Sequence, residues 1–156
     1  MAEGQSRMRE KEFGTERPDG CASARQSPSR MLILVVERDP HVRELEAHFL
    51  QGAGFSVEFA QDGYAALEQA RQLHPDIIIT EILVPKLDGL ALCRQLKADA
   101  ATRDISVVIF SILAASGRAK EAGADAFLMK PLAEHRLITT VQGLLEQRSR
   151  AVEERA

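Results

Sequence analysis

With 156 residues, 45% of them hydrophobic, the chain has the length of one domain and enough apolar content for a real core. A net charge of −3 gives no basic footprint for nucleic acid. No apolar run reaches the ~18 residues of a membrane span, and the start lacks a signal peptide's apolar core. Cys21 and Cys93 have neither metal nor redox spacing, which fits a reducing cytoplasm.

Residues 1–30 are rich in Arg, Glu, Gly, Ser and Pro, with Phe13 their only large aromatic, and bury too little apolar surface to offset ordering. They predict a disordered tail, with Met31 as an alternative start directly before the first strand. Residues 32–36 (LILVV) read as that strand, ending in Glu37-Arg38-Asp39-Pro40. Asp39 is the expected N-cap and Pro40 the first position of a helix whose apolar stripe is Val42, Leu45, Phe49 and Leu50, closed by Gly52 and Gly54. Residues 55–60 alternate as a strand. Residues 64–73 form the second helix, stopped at His74-Pro75 because the residue before Pro disfavours the α region.

Ile77, Ile78 and Ile79 make a strand buried on both faces, ended by Glu81 and a Pro-containing turn. Residues 90–98 form the third helix and residues 107–110 (VVIF) a strand ending at Ser111. Residues 116–122 are a short helix, weakened by Gly117, with Gly123 just beyond it. Residues 126–129 (AFLM) end at Lys130-Pro131. A last helix runs from Ala133 to about Arg148, with residues 147–156 a charged tail. This alternation predicts an α/β fold: a doubly wound parallel sheet with helices on both faces. In such sheets ligands and chemistry sit beyond the strand ends, and four apolar strands here each deliver a polar residue to that crevice.

The runs ILVVE-x-DP, GF-x-V-x-x-A-x-DG-x-x-AL (residues 54–67), PDIII, VPKLDG, GAD-x-F and KP, in this order, resemble the CheY-like receiver domains of two-component response regulators. The resemblance covers residues 31–146. It implies a flavodoxin-like five-stranded sheet of strand order 2-1-3-4-5. It also implies a phosphoacceptor position at Glu81, an acidic-pair position at Glu37 and Arg38, phosphoryl-pocket donors Ser111 and Lys130, a switch aromatic at Phe127, and a cis Lys130-Pro131 peptide. The face formed by the fourth helix, fifth strand and fifth helix becomes the expected surface for a histidine kinase or other signalling protein, or for a second copy in a homodimer. At Phe127 plain core packing is the competing reading.

Two positions depart from the family pattern, both in the chemistry. Glu81 is longer than Asp by one C–C bond, about 1.5 Å, which moves its carboxylate toward the place of the phosphoryl group. A misplacement of about 1 Å costs on the order of 10²-fold in rate. Arg38 replaces an acid, and a guanidinium about 4 Å from Mg²⁺ is repelled by roughly 8 kcal/mol at an effective dielectric of about 20. No cofactor is therefore expected. Should Mg²⁺ bind weakly, only Glu37, Glu81 and the Leu83 carbonyl remain to hold it. The Arg38 fork is expected to bridge Glu37 and Glu81 as an internal cation, the other placement being outward beside the first helix.

These readings predict a stand-alone receiver that acts by protein binding, is not an enzyme, and is not phosphorylated at Glu81. A phosphorylatable receiver fed by a histidine kinase is the alternative. A carboxylate-dependent phosphatase would need D-x-D/T where Glu81-Ile82-Leu83 stands, and a nucleotide-binding flavodoxin-like protein would need a Gly-rich loop where Glu37-Arg38-Asp39-Pro40 stands.

Overall fold

The computed structural model describes residues 30–155. The tail predicted over residues 1–30, Cys21 included, lies outside the described residues but for Arg30. Within the described residues five strands alternate with five helices: β1 Leu32–Val36, α1 Pro40–Gly52, β2 Ser56–Ala60, α2 Gly63–Leu73, β3 Ile77–Thr80, α3 Gly89–Ala98, β4 Ser106–Ser111, α4 Ser116–Glu121, β5 Ala126–Met129 and α5 Glu134–Arg155. All strand pairs are parallel and the sheet order is β2-β1-β3-β4-β5. This is the 2-1-3-4-5 order that the resemblance implied.

The central strands are apolar at every position but Thr80, Ser106 and Ser111 because both faces of the sheet are covered. Leu34, Val36, Ile78, Val107 and Ile109 face one side and pack under α2, α3 and α4 through Leu67, Leu92, Leu96 and Ala119. Ile33, Val35, Ile77, Ile79, Val108 and Phe110 face the other and pack under α1 and α5 through Leu50, Leu137 and Val141. Each such side chain contributes about 1.5–3 kcal/mol on leaving water. The sheet is thus a rigid platform whose C-terminal edge carries the polar strand ends.

Helix starts follow the expected chemistry. Asp39 accepts from the His41 N–H with Pro40 in the first turn, Asp62 accepts from Ala65 and Asp88 from Ala91. Helix α2 closes on His74 in the left-handed region (φ 47°). The short α4 has no side-chain cap at its start.

Two expectations need correction. Leu45, assigned to the apolar stripe of α1, is 43% exposed, whereas Glu46 is only 1% exposed. The inward stripe runs Val42, Glu46, Leu50 at i, i+4, i+8, so a carboxyl occupies a position that the helix geometry gives to the core. Helix α5 does not end near Arg148 but continues to Arg155 through residues expected to form a frayed tail. Arg148 donates through Nη1 to the Asp76 carbonyl at 2.6 Å, which ties the extension to the sheet, and the Arg, Ala and Glu residues that follow are good helix formers.

Candidate functional site

The polar ends of β1, β3, β4 and β5 converge at one edge of the sheet. Glu37 follows β1, Glu81 follows β3, Ser111 ends β4 and Lys130 follows β5. Parallel strands in register place these residues side by side: Val36 pairs with Thr80, and Ser111 with Met129. The Glu81 N–H donates to the Val36 carbonyl at 3.0 Å and the Lys130 N–H to the Ser111 carbonyl at 2.9 Å, extending the ladder to the site itself. The Lys130-Pro131 peptide is cis, as the resemblance implied.

The loop after Glu81 is held from both sides by glycines. A Cβ on Gly89, at the start of α3, would lie 2.3 Å from the Glu81 carbonyl oxygen, and one on Gly63, at the start of α2, 1.9 Å from that of Leu87. The Gly89 and Gly63 N–H groups donate to the Ile82 and Pro85 carbonyls at 2.9 and 3.2 Å. Close backbone approach that only Gly permits therefore fixes the turn that aims Glu81.

Lys130 is the centre of the site. Its Nζ lies 2.9 Å from Glu37 Oε1 and 3.0 Å from Glu81 Oε2, with side-chain exposures of 12%, 2% and 4% for the three residues. The ammonium also sits 5.4 Å from the centroid of the Phe110 ring. Glu81 Oε1 accepts from the Ser111 hydroxyl, from the Ile82 N–H at 2.6 Å and from the Leu83 N–H at 3.3 Å. Glu37 Oε2 accepts from the Asp39 N–H at 3.1 Å.

Burial alone would push the Glu81 carboxyl up. The hydrogen bonds from Ser111 and Lys130, the Lys130 charge and the Leu83 N–H outweigh it, and hold the group below its ordinary value. Burial likewise opposes charge on Lys130, but its bonds and attraction to Glu37 and Glu81 raise its pKa. The pair is stable as ions.

The bridge expected from Arg38 is made by Lys130 instead. Arg38 is exposed and forms no ion pair with any described residue. Successive side chains leaving a strand point to opposite sides, so Glu37 entering the crevice sends Arg38 outward. Phe127 is half-buried against the core cluster on the α2–α4 face.

The residues present do not fit a Mg²⁺ site. The second acid is Arg38, and the ammonium of Lys130 spans Glu37 and Glu81, where a hard cation would need oxygen ligands free on one side. Among the described residues no three His, Cys, Asp or Glu side chains form a group that could hold a metal. What sequence reasoning missed is Glu46, on the inward face of α1. Its position four residues from both Val42 and Leu50 is the signal in the sequence that marks it as inward-facing.

The family model for the response regulator receiver domain matches residues 33–142. Over 120 residues the chain is 38% identical to Response regulator MprA of Mycobacterium sp. (strain KMS), covering 75% of this chain and 51% of that protein. Over 121 residues it is 33% identical to the DNA-binding dual master transcriptional regulator RpaA of Synechocystis sp., covering 76% and 50%. The chain thus spans about half the length of these relatives. Among solved structures, the signal receiver domain of a signal transduction histidine kinase from Syntrophus aciditrophicus superposes with a TM-score of 0.71 at 36% identity, covering 75% of this chain and 91% of that one. Chemotaxis response regulator CheY4 of Vibrio cholerae gives 0.70 at 25% identity, covering 74% and 99%.

Proposed function

The chain belongs to the response regulator receiver domains of two-component signalling, and from that membership we propose that it signals by protein binding with its pocket permanently engaged by Glu81, which does not become phosphorylated. The observation that carries this reading is the occupancy of the donors. Ser111 and Lys130 stand where the resemblance implies groups that receive a phosphoryl oxygen, and both already bind the Glu81 carboxylate. A carboxylate so held is a poor nucleophile, and no second acid stands beside Glu37 to recruit a metal that would neutralise an incoming phosphoryl group. The mimicry is of charge and contact only, because a phosphoryl group carries nearly two charges and three acceptor oxygens.

The partner surface in this reading is the α4–β5–α5 face. Ile112 and Met129 are 59% and 42% exposed beside it, and Phe127 links it to the core. A histidine kinase, another signalling protein or a second copy of the chain fits such a face. The DNA binding in the name of the Synechocystis relative is not assigned to this receiver, whose chain has a net charge of −3.

Incubation with acetyl phosphate and Mg²⁺ followed by intact-mass measurement tests the proposal. The expected result is no gain of a phosphoryl group by the unmodified protein and substantial gain only in the double variant Glu81→Asp, Arg38→Asp. Phosphate on Glu81 of the unmodified protein would overturn it in favour of a phosphorylatable receiver.

A further inference from the structure

We propose that Glu46 is a proton-binding site beneath the pocket: protonated, it leaves Lys130 to Glu37 and Glu81, and ionised, it competes for the same ammonium and loosens the hold on Glu81.

Burial, an unpartnered oxygen and the surrounding charge set Glu46 apart. Glu46 is 1% exposed on the inward face of α1. Among the described residues its Oε1 has neither a hydrogen-bond partner nor an ion pair, although fully buried. The charged groups acting on it are Glu37 from the end of β1, Lys130 from the end of β5 and Glu81 from the end of β3. Other charges near α1 point elsewhere. Arg43, on the same helix, donates to the Glu37 carbonyl at 3.3 Å and has its guanidinium 5.8 Å from the Phe59 ring centroid. Glu58 on β2 and Glu134, His135 and Arg136 on α5 are exposed.

Counting charge gives the consequence. The Lys130 ammonium pairs with two of the three buried carboxyls, Glu37 and Glu81, and leaves Glu46 without an ion pair among the described residues. An unpaired buried carboxylate is costly enough that the group takes up a proton instead. Burial first, then the negative charges of Glu37 and Glu81 against the opposing charge of Lys130, place the Glu46 pKa well above its ordinary value. With Glu46 neutral the cluster carries one net negative charge, and with it ionised two. Among the described residues Lys130 is the cation paired with this cluster, so the second charge draws on it. A proton on α1 is thereby linked to the bond that engages Glu81, whether or not Glu81 ever takes a phosphoryl group.

The direct test is a ¹³C-detected NMR titration of the full unmodified chain from about pH 5 to about pH 9, following the Glu46 carboxyl carbon and the Lys130 Nζ resonance. Glu46 should ionise above the ordinary carboxylate value of about 4.3, and Lys130 Nζ should move with the same midpoint. A Glu46 carboxyl ionised throughout, or a Lys130 resonance that ignores its midpoint, would overturn the proposal. Glu46→Gln supplies the second arm. A raised folded-state pKa gives stability that is complete below the unfolded value and lost as pH rises through the folded one. The unmodified protein should therefore lose stability as pH rises from the unfolded carboxylate value of about 4.3 toward the folded Glu46 value, and the Gln variant should not show this loss. The variant's relative gain is about tenfold in the folded-to-unfolded ratio per unit of pKa difference. Parallel pH profiles for the two proteins would refute the assignment, and if the variant does not fold the titration of the unmodified chain decides.

Discussion

The two ends of the sheet each carry a cation bound to acid, and they are built differently. At the N-terminal end Asp76 is fully partnered: its Oδ2 accepts from the Leu32 N–H at 2.9 Å, and Arg148 Nη1 reaches its carbonyl at 2.6 Å and its Oδ1 at 3.4 Å. Both side chains are about 30% exposed, so water shares the charge. At the C-terminal end the ammonium is buried and oversubscribed, with Glu37 and Glu81 paired to it and Glu46 left with an orphan oxygen. The first arrangement pins a helix to a sheet. The second stores imbalance, which a structure retains where something is to be sensed or bound.

The largest expected effect breaks the buried end. Lys130→Met removes the only cation among the described residues paired with Glu37 and Glu81, and leaving buried charge uncompensated costs about 3–5 kcal/mol, to be read from urea denaturation at neutral pH. The sign of its pH dependence follows from the shifts. Glu81 is held below its ordinary value, so its contribution is present above the unfolded carboxylate pKa of about 4.3 and is lost as pH falls through the folded one. Lys130 is held above its ordinary value, so its contribution is present below about 10.4 and is lost as pH rises through the folded one. In acid, where the carboxylates are neutral, Lys130→Met should approach the stability of the unmodified protein. A constant gap down to about pH 2 would show that the lysine acts by packing and not by charge.

The fold was legible because its signals are local. Apolar runs of four to six residues, the Asp39-Pro40 helix start and the His74-Pro75 stop place every element within a few residues, save the end of α5. The ends of β1, β3, β4 and β5 were equally legible, since an apolar run that stops at a polar residue marks a sheet edge. What could not be read was which cation would meet the acids. The planar fork of Arg38 suggested a bridge between Glu37 and Glu81, but strand geometry sends Arg38 outward and joins Glu37 to Lys130 across the sheet. The phase of α1 failed for a related reason. Leu45 and Glu46 differ by one step, and choosing the apolar one was wrong because the Lys130 cluster lies beneath the other.

At the N-terminal end the same operation should be mild. Arg148→Ala removes the tie between α5 and Asp76, and for a third-exposed pair the cost is about 1 kcal/mol. Hydrogen exchange should locate it: amides after Arg148 should lose protection while those of β1 and β3 keep theirs. A loss as large as that of Lys130→Met would mean that the balanced end, not the buried one, carries the fold.

The smallest effect is expected at Arg38, and it sharpens the comparison most. Arg38→Asp restores an acid beside Glu37, yet the side chain is exposed and pairs with no described residue, so stability should change by no more than about 0.5 kcal/mol. Mg²⁺ affinity, followed by NMR titration, should rise but stay no tighter than about millimolar, because Lys130 still spans Glu37 and Glu81 and a divalent ion must displace it. If Arg38 alone were what kept the metal out, this single change would bring submillimolar binding localised to Glu37, Glu81 and Leu83. That result would move the cause from the buried clasp to the exposed guanidinium, and with it the reason that Glu81 stays engaged.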